Sequence, residues 1–226
     1  MTILYEDNHI IAVNKTCHEL VQADKTGDRC LLDEVKDYIK VKYNKPGEVF
    51  LGLPHRLDRP TSGVVLFART SKALTRLTEM FRSHEQIQKT YWAIVCNAPA
   101  QKQGRLEHWL VRREKENKSY VVNGGDGAKL AVLEYRTLAH SDRYTLLEIN
   151  LFTGRHHQIR CQLAAIGCPI KGDLKYGAPR SNKDGGICLH ARKIAFVHPV
   201  SRQPLEIVAP VPDDNLWQAM EVKVEG

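Results

Sequence analysis

The stretch "YTLLEINLFTGRHHQIRCQLAAIG", residues 144–167, changes character halfway. From Tyr144 to Phe152 it is aromatic and rich in strand-forming residues. After Thr153 and Gly154, Ile159, Leu163 and Ile166 recur at the spacing of one helical face, and Gly167 marks a stop. The flanks decide what kind of fold holds this strand and helix.

Upstream, "KTYWAIV" (89–95), "RLEHWLV" (105–111), "KSYVVN" (118–123) and "AVLEYRTLA" (131–139) share the strand texture and are separated by Gly, Asn and Asp turns. Such a series argues for a large, mostly antiparallel sheet. Nearer the start, "ILY" and "HIIAV", split by "EDN", read as a hairpin over residues 2–14. Leu31, Leu32, Val35 and Ile39 lie at helical spacing over 31–42. "VVLFA" (64–68) is a continuous apolar run of strand length, expected to be covered on both faces. It leads into a helix with Leu74, Leu77 and Phe81 on one stripe and Thr70 or Ser71 as N-cap. Two late strands, "KIAFV" and "LEIVA", and a short helix around "DNLWQAMEVK" close the chain. The class is α+β, strands dominating.

The totals narrow the function. At 226 residues the chain can bury a proper core. No run approaches the roughly 18 apolar residues of a membrane span, and "MTILYEDNHIIAVNK" has no basic n-region or cleavage site; a cytoplasmic protein is expected. The six cysteines lie far apart without a C-x-x-C pair, so free thiols are expected rather than a zinc or disulfide framework. Lys plus Arg exceed Asp plus Glu by 33 to 26, a net charge of +7 that suits a polyanionic partner such as nucleic acid.

Three stretches are unusually polar. "LPHRLDRPTSGVVLFAR" (53–69) sets one carboxylate, Asp58, among His55, Arg56 and Arg59 directly before the apolar strand. "QKTYWAIV" carries Tyr91 in a strand. "TGRHHQIR" crowds Arg155, His156, His157, Gln158 and Arg160 into the expected first turns of a helix, with His156 and Arg160 four apart and so on one face. Two readings of that cluster stand at this point: a solvated basic helix start, or a phosphate-binding helix N-terminus. Ile159 and Leu163 place Arg160 beside the buried side. There it needs a carboxylate partner, for which Asp58 is the candidate.

These residues resemble a known family. "HRLDRPTSGVVLFAR" is similar to the H-R-L-D-x-x-T-S-G signature of the RluA-type pseudouridine synthases. "TGRHHQIRCQLAAIGCPIKGDLKYG" is similar to their second signature, T-G-R-x-H-Q-I-R with I-G-x-P-I and G-D-x-x-Y-G. "QKTYWAIV" matches K-x-Y-x-A, and "LHARKIAFVHPVSRQPLEIVAPVP" the closing segment. The matches fall in family order from about residue 3 to 212. The resemblance implies a bent, mainly antiparallel sheet flanked by helices. It also implies one catalytic domain over 1–226, beginning without the S4-type RNA-binding domain that many members carry.

The activity implied is isomerisation of uridine to pseudouridine in ribosomal or transfer RNA, at a locally recognised stem-loop, by a monomer without cofactor or metal. Asp58 is then the carboxylate that acts at or near C1′, whether by covalent attack, by charge stabilisation or by taking the 2′ proton. Arg160 is the partner that keeps it ionised, and Tyr91 lies against the uracil ring. Arg56 fills the stack left by the flipped base, with His55, Arg155, His157 and Gln158 as RNA contacts or pocket rim. There are departures. The family's K-P-x-G-x-x-V becomes "KTCHELV", keeping Lys15 but losing proline and glycine, so residues 14–22 need another loop shape. His156 stands where a small polar residue is usual.

Two other functions compete. A retired synthase that only binds RNA is disfavoured by intact Asp58, Tyr91 and Arg160. A metal-dependent phosphoesterase would use His55, Asp58, His156 and His157.

Overall fold

A computed structural model describes residues 1–23, 27–84 and 86–225. The chain divides into two compact units, Met1–Ile87 with Arg192–Pro210, and Gln88–Ala191 with Val211–Gly226. It runs through β1 (Thr2–Glu6), β2 (Ile10–Lys15), α1 (Leu31–Lys42), β3 (Ser62–Ala68) and α2 (Ser71–Ser83) in the first unit. Then come β4 (Ile87–Val95), β5 (Gln103–Arg113), β6 (Lys118–Val122), β7 (Lys129–His140), β8 (Thr145–Leu151), α3 (Gln158–Ala165) and a 3-10 turn (Leu174–Tyr176). β9 (Leu189–Val197) begins in the second unit and ends in the first; β10 (Pro204–Val208) and α4 (Asn215–Glu225) follow. The class is α+β, and the expected hairpin, strands and helices are all present.

In the first unit the β1–β2 turn is tied by Asp7. Its Oδ1 accepts the N–H groups of His9 and Ile10 at 2.7 and 2.8 Å, the local bonding that makes Asp a turn residue. β2 pairs antiparallel with β3, from Ile10 opposite Ala68 to Lys15 opposite Gly63. Every residue of β3 is buried, as its unbroken apolar run requires. Val64, Leu66 and Ala68 pack with Ile10, Ala12, α2 (Ala73, Leu77, Met80) and the β9–β10 residues Phe196 and Ile207. Val65 and Phe67, on alternate positions, are fully buried too. Thr70 is the α2 N-cap, its side chain accepting from the Ala73 N–H at 3.2 Å.

The second unit is built on antiparallel pairings in the order β4, β8, β7, β5, β6. Ile149 on β8 faces Tyr91 on one side and Tyr135 on the other. These strands bury Leu133, Leu147 and Ile149 against Ile159 and Leu163 of α3 and Trp217 and Met220 of α4. Burying side chains of this size stabilises by roughly 1.5–3 kcal/mol each.

One expectation is corrected. The chain does not turn helical at Gly154 but at Gln158, because His157 takes a left-handed conformation, φ 51°. His156 therefore does not share a helical face with Arg160. Gly167 is the stop expected, with φ +75° and its N–H bonded to the Ala164 carbonyl at 3.0 Å. All six cysteines are free thiols, and no described helix is long and apolar enough to cross a membrane.

Candidate active site

The first unit carries the loop that ends in Asp58. Its shape follows from what each residue can bond. Gly52 exchanges two backbone hydrogen bonds with Ala68, at 2.8 and 2.9 Å, so the segment enters alongside β3. His55 then uses its ring inward: Nε2 accepts the Leu66 N–H at 2.9 Å, and the ring stacks on Phe81 with centroids 4.2 Å apart. That makes His55 a brace of the loop. Leu57 is buried, Arg56 exposed and Asp58 half-buried. A turn closes behind the carboxylate, with the Thr61 N–H on the Asp58 carbonyl at 3.0 Å. Arg59 forms an exposed ion pair with Asp28 at 3.0 Å. Beside this loop lies an open cleft of about 510 Å³ lined by Gln22, Leu32, Leu51, Leu53, Pro54, His55 and Arg56.

Beneath the loop sits Lys15, which sequence reading noted only as retained. Its Nζ donates to the carbonyls of Thr16, Asp58, Arg59 and Thr61 at 2.8, 3.3, 2.8 and 2.7 Å. The sequence signal was available: a lysine ending the apolar run "IIAVNK" sits where strand alternation turns its side chain inward.

In the second unit, Lys89 and Tyr91 lie two apart on β4 and share a face. Tyr91 is half-buried against the core. Lys89 is buried, which pulls its ammonium down to about 8, and repulsion by Arg155 acts the same way.

Arg160 follows from the α3 register. Ile159 and Leu163 anchor the helix, and Arg160 is only 5% exposed. Within its unit it holds Asp173, itself 1% exposed, through Nε–Oδ2 at 2.7 Å and Nη2–Oδ1 at 2.8 Å. Asp173 is thus a counter-ion, as a buried guanidinium requires. The guanidinium also lies 5.1 Å from the centre of the Tyr176 ring.

Tyr176 is the hub of a polar network that sequence reading did not single out. Its hydroxyl accepts the Ser119 N–H at 2.8 Å and meets His157 Nδ1 at 3.0 Å. Burial, and then the positive charges of Arg160, His156, Lys175 and Arg112, push His157 down to about 2. His157 is therefore neutral, with one ring nitrogen protonated and the other an acceptor. His156 stacks on His157 at 3.8 Å, with its Nδ1 on the Ser119 hydroxyl at 2.9 Å and Nε2 on Asn117 Oδ1 at 3.1 Å.

Gln158 is spent on the fold. Oε1 accepts from Thr153 Oγ1 and the Arg155 N–H at 2.7 and 3.0 Å, and Nε2 donates to the Val132 carbonyl at 3.1 Å. Arg155 donates Nε to the Leu130 carbonyl at 2.9 Å and stays half-exposed. Of the residues expected to touch RNA, Arg56 and Arg155 present cationic groups to solvent. His55 Nε2 and the Gln158 amide bond backbone groups, and His157 Nδ1 meets the Tyr176 hydroxyl. Among the histidines that a phosphoesterase would use, Nε2 of His55, both ring nitrogens of His156 and Nδ1 of His157 are engaged in hydrogen bonds.

The class of protein follows from comparison with known proteins. Residues 9–165 match the family model described as RNA pseudouridylate synthase. A tRNA pseudouridine synthase C of Vibrio parahaemolyticus is 31% identical over 246 residues, covering 100% of this chain and 95% of the relative. Another from Pectobacterium carotovorum is 34% identical over 97% of this chain, which spans 61% of that relative's length. A ribosomal large subunit pseudouridine synthase D of Xylella fastidiosa is 35% identical over 95% of this chain and 67% of its own. Among solved structures, human RNA pseudouridylate synthase domain containing 4 superposes with a TM-score of 0.80 at 26% identity, covering 99% of this chain and 93% of that one. The chain belongs to the RNA pseudouridylate synthase family. It is accordingly an isomerase that acts on uridine in RNA.

Proposed function

We propose that this enzyme isomerises a uridine in the stem-loop of a transfer or ribosomal RNA, with Asp58 as the catalytic carboxylate. The reading is supported above all by the position of Asp58, half-buried on a turn whose carbonyls are pinned from below, inside the family match. Relatives named for both RNA classes leave transfer and ribosomal RNA as the two substrate classes.

The reaction breaks the C1′–N1 bond, turns the uracil and joins C5 to C1′; the C5 proton leaves and N1 gains one. A carboxylate near C1′ supplies the negative charge this needs. The uridine must leave its stack, at a cost of a few kcal/mol, and Arg56, exposed on the Asp58 loop, fills the gap. Tyr91 stacks on the uracil and takes the C5 proton at the end. Arg160 acts as the buried cation of the reaction centre, and Arg155 contacts phosphate. The enzyme works as a cytoplasmic monomer, and residues 1–226 form one catalytic core.

The test uses total RNA from cells lacking the gene, treated with purified protein and mapped for pseudouridine by mass spectrometry. Wild type should introduce pseudouridine at defined positions and Asp58→Ala none. Conversion by Asp58→Ala at a comparable rate would overturn the assignment.

A further inference from the structure

The β5–β6 hairpin of the second unit turns through "RREKENK", residues 112–118. Arg112, Arg113 and Lys115 are exposed there, and Lys118 is half-buried. Lys175, from the 3-10 turn, reaches the same tip and donates Nζ to the Glu116 and Asn117 carbonyls at 3.5 and 3.1 Å. Five cations against two carboxylates, Glu114 and Glu116, leave a local positive excess. Glu116 is already engaged, accepting the Tyr120 hydroxyl and pairing with Arg113 at 3.4 Å.

Such crowding is unfavourable in the protein alone. Arg113 and Lys118 stand directly opposite one another in the ladder, where like charges repel. Both lie over the Tyr120 ring, 4.5 and 5.2 Å from its centre, which offsets part of the repulsion.

The tip is nonetheless held in one shape. Asn117 turns it with φ 44°, its N–H on the Glu114 carbonyl at 3.0 Å. Asn117 Oδ1 meets Arg112 Nη2 and His156 Nε2, each at 3.1 Å, and His156 Nδ1 meets the Ser119 hydroxyl at 2.9 Å. His156, a departure from the family pattern, thus ties the hairpin to the start of α3. Cations on a tethered turn lose less freedom on meeting a polyanion than cations on a loose one.

We propose that the β5–β6 hairpin tip is an RNA-binding arm, on which Arg113, Lys115 and Lys118 contact phosphates of the substrate's backbone. The inference rests on the substrate being an RNA of the transfer or ribosomal class, and it does not depend on Asp58. Charge complementarity names the occupant: each nucleotide brings one phosphate charge, and an uncompensated cluster of cations releases counterions when it meets them. Backbone contacts position an RNA without reading its sequence, so the arm contributes affinity rather than choice of uridine.

The experiment is filter binding of unfractionated transfer RNA at several salt concentrations. It compares wild type with a variant combining Arg113→Gln, Lys115→Gln and Lys118→Gln. A control with the same change in net charge combines Lys40→Gln, Lys45→Gln and Lys72→Gln, all exposed in the first unit. Each lost phosphate contact lowers the slope of log affinity on log salt by about 0.7–0.9. The arm variant should therefore lose about 2 or more from the slope and bind more weakly, with the control near wild type. An arm variant that matches the control in slope and affinity overturns the proposal. If circular dichroism shows the arm variant unfolded, Lys115→Glu at the exposed turn decides. It should lower the slope by about 1, and a slope and affinity equal to wild type overturn the arm. A wild-type affinity without salt dependence would instead overturn the RNA reading on which the arm rests, so the two failures are distinguishable.

Discussion

Arg160 and Asp173 form a two-point ion pair within the second unit, 2.7 and 2.8 Å long, with both side chains almost fully out of water. The pair fixes the 3-10 turn that carries Tyr176 to the first turns of α3. A guanidinium in that position holds its orientation only while the carboxylate is there.

Asp173→Asn keeps the shape and removes the counter-charge. We expect it to destabilise the fold by about 3 kcal/mol or more, because an uncompensated buried charge remains. Urea denaturation followed by circular dichroism checks this, and a shift in midpoint no larger than that of a surface control would contradict it.

The His157 ring predicts a pH dependence. An unfolded histidine takes up its proton near pH 6.5, whereas the folded ring does so only at about 2. Between those values the unfolded state binds the extra proton, so stability falls as pH drops below 6.5. The loss from this group is at most about 2 kcal/mol by about pH 5, once solvent screening is allowed for. His157→Asn tolerates the left-handed backbone and should flatten that part of the stability profile. An equally steep profile in the variant would show that other groups cause the loss.

Arg56 is exposed on the Asp58 loop, so Arg56→Ala should leave the melting temperature nearly unchanged, within about 0.5 kcal/mol of stability. Its effect should fall on RNA: weaker binding and a shallower dependence of affinity on salt. Filter binding at several salt concentrations measures both, and an unaltered affinity and slope would exclude contact between Arg56 and the RNA.

Local pattern determined much of this protein. The apolar run 64–68, the cap at Thr70, the alternation of strands from residue 89 to 151 and the stop at Gly167 are short-range properties, and each appears where the spacing predicts. The motif residues Asp58, Tyr91 and Arg160 could be named because their sequence context is dense with matching residue types.

What the sequence did not contain was the use of each polar atom, because hydrogen-bond partners are chosen by chain segments far apart. His157 and Gln158 read like ligand contacts, yet the left-handed turn at His157 aims them at Tyr176, Thr153 and Val132. Arg160 asked for a carboxylate, and only the fold identified Asp173 as one that it holds. Lys15 read as a residue retained beside a changed loop. Its role depends on the carbonyls of residues 58–61 arriving over its buried ammonium, and only tertiary packing brings them there.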